Sequence, residues 1–238
     1  MPYPDRSAYP DRFYPVVDSV AWVARLALLG VGTIQLRAKD LNDSEALQTV
    51  SDALEIIKGT EAKLVVNDYW RAAIVAGAKH LHLGQEDLAD ADLKAIRDAG
   101  LTLGLSTHDD VELETALRAQ PDYIALGPIF PTTLKSMRFA PQGIARITEW
   151  KQRIGTIPLV AIGGIKFEQA AAIFAAGADS IAVVSDVTQN ADPVAMAKAF
   201  RAGVEAGRIA FEAGLMEARD FASPSTPVVG TPFWHAVS

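Results

Sequence analysis

The chain has 238 residues, with 22 Lys and Arg against 29 Asp and Glu, a net charge of −7 and no cysteine. Half of it is hydrophobic, which excludes a disordered chain. The lack of cysteine excludes disulfides and thiolate metal sites, and the acidic balance disfavours a nucleic-acid binder, so any anionic ligand must be met by local positive charge.

Residues 1–12 carry Pro2, Pro4 and Pro10 and read as an extended arm. A strand over Phe13–Asp18 and a helix over Val20–Leu29 then open a repeating pattern. Strand two, Thr33–Lys39, alternates: Ile34, Leu36 and Ala38 share one face, and Gln35, Arg37 and Lys39 share the other. In a barrel this polar face lines the lumen. Buried charge needs a partner, either an internal carboxylate or an anionic ligand. After the helix Ser44–Lys58, strand three (Lys63–Asp68) ends in Asn67-Asp68 and leads to the helix Trp70–Ala76. Strand four, His80–Gly84, runs into Gln85-Glu86-Asp87 and the helix Leu88–Ala99. His82 reads as structural or substrate-lining. Asp68 and Asp87 follow adjacent strands, where they either cap helices or hold a divalent cation.

Strand five, Thr102–His108, places Thr102, Gly104, Ser106 and His108 on one parity. There is no Gly-x-Ser-x-Gly elbow, so Ser106 reads as a substrate hydrogen-bonding group. His108 reads as a proton carrier or as the cap of the helix Asp110–Ala119. Strand six, Tyr123–Pro128, precedes a long loop with Thr132, Thr133, Lys135 and Arg138, where a lid would sit. The helix Gly143–Arg153 leads to strand seven, Pro158–Ile165, whose Gly163-Gly164 would let backbone N–H groups approach an anion. The helix Phe167–Ala176, strand eight (Ser180–Asp186, with Val184 and Ser185) and the helix Pro193–Ala206 complete the series. Residues 208–238 turn Pro/Ser/Thr-rich and end near Phe233-Trp234, either as a tail or as a docking segment.

Eight strand–helix units at roughly 24 residues each predict an α/β fold, a closed (β/α)8 TIM barrel forming a single domain over 13–207. The first strand lacks the glycine-rich turn of an open dinucleotide-binding sheet. The singled-out residues all fall near C-terminal strand ends, the catalytic face of such a barrel. The chain start lacks a cationic stretch followed by an apolar one, and no apolar run spans a membrane, so a cytoplasmic location is expected. A homo-oligomer is compatible with the sequence.

The charge pattern suggests two phosphate sites. One combines Arg37, Lys39 and Lys135 with a metal on Asp68 and Asp87, suited to a diphosphate. The other is a backbone site after strands seven and eight, suited to a single phosphate. In sequence order, Gln35-Leu36-Arg37-Ala38-Lys39, Asn67-Asp68, His82-Leu83-Gly84-Gln85-Glu86-Asp87-Leu88, Gly104-Leu105-Ser106-Thr107-His108, Gly127-Pro128-Ile129-Phe130-Pro131-Thr132, Ala140-Pro141-Gln142-Gly143, Ile162-Gly163-Gly164-Ile165 and Val184-Ser185 resemble the thiamine-phosphate synthase family. The resemblance implies two small-molecule substrates, an aminopyrimidine-methyl diphosphate and a thiazole phosphate. It also implies a pyrimidine-methyl cation intermediate, pyrophosphate as a product and a Mg2+ requirement, with no nucleic-acid or membrane partner. Arg37, Lys39, Asn67 and Lys135 would hold the diphosphate, and Asp68 and Asp87 the magnesium. Gln35 and Ser106 would contact the pyrimidine or diphosphate region, and Thr132, Gly164, Val184 and Ser185 would bind the thiazole phosphate or line its site. The catalytic set would be Arg37, Lys39, Lys135 and Ser106. Leu134 replaces the second threonine of the family's Pro-Thr-x-Thr-Lys loop. Two alternatives share this fold: a thiazole tautomerase using His108 as its proton shuttle, and a non-catalytic thiamine-phosphate-binding protein.

Overall fold

The structure, a computed structural model, describes residues 10–132 and 139–213. Eight parallel strands form a closed barrel in the order β1 to β8. They are β1 (Phe13–Val17), β2 (Thr33–Leu36), β3 (Lys63–Asn67), β4 (His80–Leu83), β5 (Thr102–Thr107), β6 (Tyr123–Leu126), β7 (Leu159–Ile162) and β8 (Ser180–Val183). Closure pairs Phe13 with Ile181, Tyr14 with Ala182 and Pro15 with Val183.

Helices pack around this sheet: α1 (Val20–Leu28), α2 (Asp43–Ile57), α3 (Trp70–Val75), α4 (Gln85–Asp90), α5 (Leu93–Asp98), α6 (Asp110–Arg118), α7 (Gly143–Ile154), α8 (Ala170–Ala175, after a 3-10 turn), α9 (Ser185–Thr188) and α10 (Pro193–Ala213). Glycine ends several of them. Gly77, Gly100 and Gly177 have positive φ, and the next residue's N–H reaches back into the last turn: Ala78 to Ala73 O, Leu101 to Ile96 O and Ala178 to Ile173 O. That geometry belongs to the Schellman stop, where a left-handed residue costs glycine least.

The core has two layers. Side chains of one strand parity, with helix faces, make a large outer layer that includes Ile34, Leu81, Leu105, Ile124, Trp150 and Ile181. The other parity fills the lumen with Tyr14, Val16, Val65, Tyr123, Ala125, Val160 and Ala182. The alternation follows from the period of two along a strand.

Several element boundaries differ from the sequence-based expectation. Strand two stops at Leu36, so Arg37 and Lys39 stand in the loop above the sheet. Strand eight stops at Val183, and Ser185 opens a short helix. The expected helix Leu88–Ala99 is two helices, because Ala91 is extended and Asp92 restarts the chain by capping Ala95 N–H at 2.9 Å. The helix expected from Ser44 starts at Asp43, and Asn42 caps it through a reciprocal capping box with Glu45. The last helix runs on past residue 207 to Ala213.

Gly104 gives the lumen room for an aromatic ring, since a Cβ there would lie 1.9 Å from Tyr123 Cζ. Gly104→Ala is therefore expected to destabilise the fold by about 1–3 kcal/mol, read as a lower midpoint in urea unfolding. An unchanged midpoint would refute this account of Gly104.

Candidate active site

The strand ends carry polar side chains in a gradient of burial. Gln35 is 4% exposed, Arg37 is half-buried, and the Lys39 side chain is 45% exposed. Leaving the sheet after Leu36 lets the two cations reach water while the amide stays in the lumen. Lys39 Nζ is paired with Asp68 Oδ2. Arg37 has no ion-pair partner among the described residues, which suits an anionic ligand.

Asp68 lies just past β3 with φ +67, a left-handed conformation that a short Asp tolerates better than most side chains. Its backbone N–H donates to His82 O at 2.9 Å, so β4 fixes its position. Asn67 Nδ2 donates to Asp68 Oδ1 at 2.7 Å and lies 3.3 Å from His82 O, while the buried Asn67 Oδ1 has no partner among the described residues.

Asp87, in the first turn of α4, is half-buried and neighbours Asp68. Burial and the neighbouring Asp68 carboxylate push its pKa up, while Lys39 pulls the other way. Neither aspartate caps a helix: Tyr69 and Gly84 hold those positions, with no side-chain cap bond. The capping alternative for this pair is thus removed. A cavity of about 360 Å³ opens beside the pair, with Tyr69 and Trp70 on its wall.

Beneath this mouth, Gln35, Tyr14, Tyr123, His82 and Ser106 are hydrogen-bonded in sequence. Burial lowers the His82 pKa to about 4, more than the nearby Asp68 raises it, so the ring is neutral at physiological pH. Burial pushes both tyrosines well above their ordinary range. Sequence reasoning missed Tyr14 and Tyr123. Their lumen parity was readable, but aromatic residues in strands look like ordinary core. His108 does not cap α6. Asp109 does, accepting from Glu112 N–H at 2.9 Å, while His108 Nδ1 sits 2.6 Å from Glu112 Oε2 and its ring stacks on Phe139 at 4.8 Å.

On the opposite side of the mouth, the loop after β6 packs on the glycines after β7. Ile129 N–H donates to Ile162 O and Phe130 N–H to Gly163 O. Gly164 has φ +67, and a Cβ there would lie 2.4 Å from Pro131 O. Contact with this loop is therefore a sufficient reason for glycine there, with or without a bound anion. The Val184 side chain joins the lumen cluster, and Ser185 starts α9. Thr132 precedes the segment 133–138, so Lys135, Leu134 and Thr133 lie outside the described residues.

A closed barrel with cations, paired carboxylates and a polar lumen at its C-terminal mouth defines an enzyme acting on a small anionic substrate. The family model described as thiamine monophosphate synthase matches residues 13–187. A thiamine-phosphate synthase from Rhizobium etli is 55% identical over 185 residues, covering 78% of this chain and 91% of the relative. One from Salmonella agona is 53% identical over 194 residues, covering 81% and 92%. A solved thiamine phosphate pyrophosphorylase from Pyrococcus furiosus superposes with a TM-score of 0.72 at 26% identity, covering 82% of this chain and 96% of that one. The chain belongs to the thiamine-phosphate synthase family.

The Asp68–Asp87 pair brings like charges together, and neither residue holds the N-cap position of a helix. Asp87→Asn is expected to leave the urea midpoint at neutral pH unchanged or raised. A marked fall would mean that the Asp87 charge is structural.

Proposed function

We propose that this chain joins an aminopyrimidine-methyl diphosphate to a thiazole phosphate, giving thiamine phosphate and pyrophosphate. The observation that carries this reading is the Asp68–Asp87 pair, neither of which holds an N-cap position, beside Lys39 and Arg37, which has no ion-pair partner among the described residues. The donor set fits magnesium. It consists of two oxygen ligands whose repulsion a cation would relieve. Magnesium commonly takes one or two carboxylates plus phosphate oxygens. Bound there by Asp68 and Asp87, it would neutralise charge developing on the departing diphosphate.

The chain's own groups do the rest. Arg37, Lys39 and Lys135 hold the diphosphate and stabilise its charge as the carbon–oxygen bond breaks. As it stands, the amide N–H2 of Asn67 serves Asp68, so Asn67 reaches a phosphate oxygen only by turning over. Gln35 and Ser106 contact the pyrimidine region at the lumen's upper edge. The pyrimidine-methyl cation is then attacked by the thiazole nitrogen, whose substrate phosphate is held near Thr132, Gly164, Val184 and Ser185. The catalytic unit spans 13–207, with 1–12 as an arm and 208–238 as an extension. A cytoplasmic setting suits the family, and among the described residues no helix is long and apolar enough to cross a membrane.

Purified protein supplied with both substrates and magnesium is expected to release thiamine phosphate and pyrophosphate, and a chelator should stop it. Asp68→Ala and Lys39→Ala should each lower kcat/KM by about 100-fold while circular dichroism stays unchanged. No product from folded protein, or parent-like rates in both variants, would overturn the reading.

A further inference from the structure

The lumen holds one continuous hydrogen-bond chain that runs between two residues of the mouth. Gln35 Nε2 donates to Tyr14 Oη at 2.7 Å. The Tyr14 and Tyr123 hydroxyls meet at 2.9 Å. Tyr123 Oη lies 2.9 Å from His82 Nδ1, and His82 Nε2 lies 2.8 Å from Ser106 Oγ. Gln35, Tyr14, Tyr123 and His82 are all buried, so an unused donor among them would be costly.

Donor counting sets the direction. An amide N–H only donates, so the Tyr14 oxygen accepts and its single O–H goes to Tyr123. Tyr123, having accepted, gives its own proton to His82 Nδ1. A neutral imidazole has one N–H, which must then sit on Nε2 and point at Ser106 Oγ. We infer that this one-way chain locks His82 as the Nε2–H tautomer and leaves the Ser106 hydroxyl proton free for a bound substrate, making Tyr123 and His82 positioning residues.

The opposite tautomer would reverse the site. With the proton on Nδ1, the ring would accept from Ser106, and the serine would face substrate as an acceptor. The surroundings hold each member in place. Tyr123 fills the space that Gly104 leaves, stacks on His82 at 5.6 Å and meets Tyr14 edge-on. Gln85 Nε2 pins the Ser106 carbonyl at 2.6 Å.

The tautomer follows from the lumen alone, whereas the benefit to turnover rests on the function proposed above. Nitrogen NMR of histidine-labelled full-length protein, assigned by replacing His80, His108 and His235 in turn, reads the tautomer directly. The parent protein at neutral pH should show His82 protonated at Nε2. Tyr123→Phe keeps the ring but cuts the chain, so His82 should become a tautomer mixture. In that variant kcat should fall about tenfold with little change in KM for the diphosphate. Tyr14→Phe should preserve the tautomer, because Tyr123 still donates to Nδ1. An Nδ1–H form in the parent would overturn the inference. So would Tyr123→Phe with parent tautomer or parent kcat, including a variant that loses only thermal stability. If the parent makes no thiamine phosphate, the proposed function fails while the NMR result still decides the tautomer.

Discussion

Closing eight parallel strands into a barrel creates an interior with little access to water, and every polar group placed there must find its partner inside. That requirement shapes most of the molecule. At mid-height the lumen is apolar or aromatic, with Val16, Val65, Ala125, Val160 and Ala182 around Tyr14 and Tyr123. The two phenols bring hydroxyl groups into this layer. They are tolerable because Gln35 and His82 complete their hydrogen bonding. A half-satisfied version of the same network would be worse than an apolar core, so its members depend on one another.

The same desolvation cost sorts charge by height. The amide of Gln35 stays within the sheet, whereas the guanidinium of Arg37 and the ammonium of Lys39 appear only after the strand has ended. Asp68 and Asp87 occupy the rim, where Lys39 offsets one carboxylate and leaves the pair short of positive charge. An acidic chain thereby presents a site that can take a cation and a phosphorylated ligand together. Net charge carries no information about this, because the arrangement depends on which strand ends are neighbours.

Much was legible from the residues. The eight strands fell close to their expected places because the hydrophobic runs, glycine stops and βα spacing agree with one another at every unit. Gln35, Asn67, Asp68, Asp87 and Ser106 were readable as site candidates because polar residues at strand ends are unusual in a parallel sheet. Boundaries were less legible. Arg37 and Lys39 continue the alternation of strand two in sequence, yet the strand ends at Leu36 and the Arg37 N–H, bonded to Val17 O at 2.7 Å, is the last to reach β1. His108 looked like a proton carrier or a cap, yet its partners are Glu112, a helical turn away, and Phe139, more than thirty residues on.

The sequence by itself determined the class of fold, the parity of each strand and which ends bear polar groups, because these are local periodicities. Tertiary structure alone decided what those groups touch. Tyr14 and Tyr123 are 109 residues apart and become hydrogen-bonded neighbours only when the barrel closes. Likewise, Gly164 is required by the backbone of Phe130 and Pro131, and Asp68 is placed by a carbonyl of the next strand. Such contacts depend on register and on side-chain volume across the lumen, and no pattern along one strand encodes them.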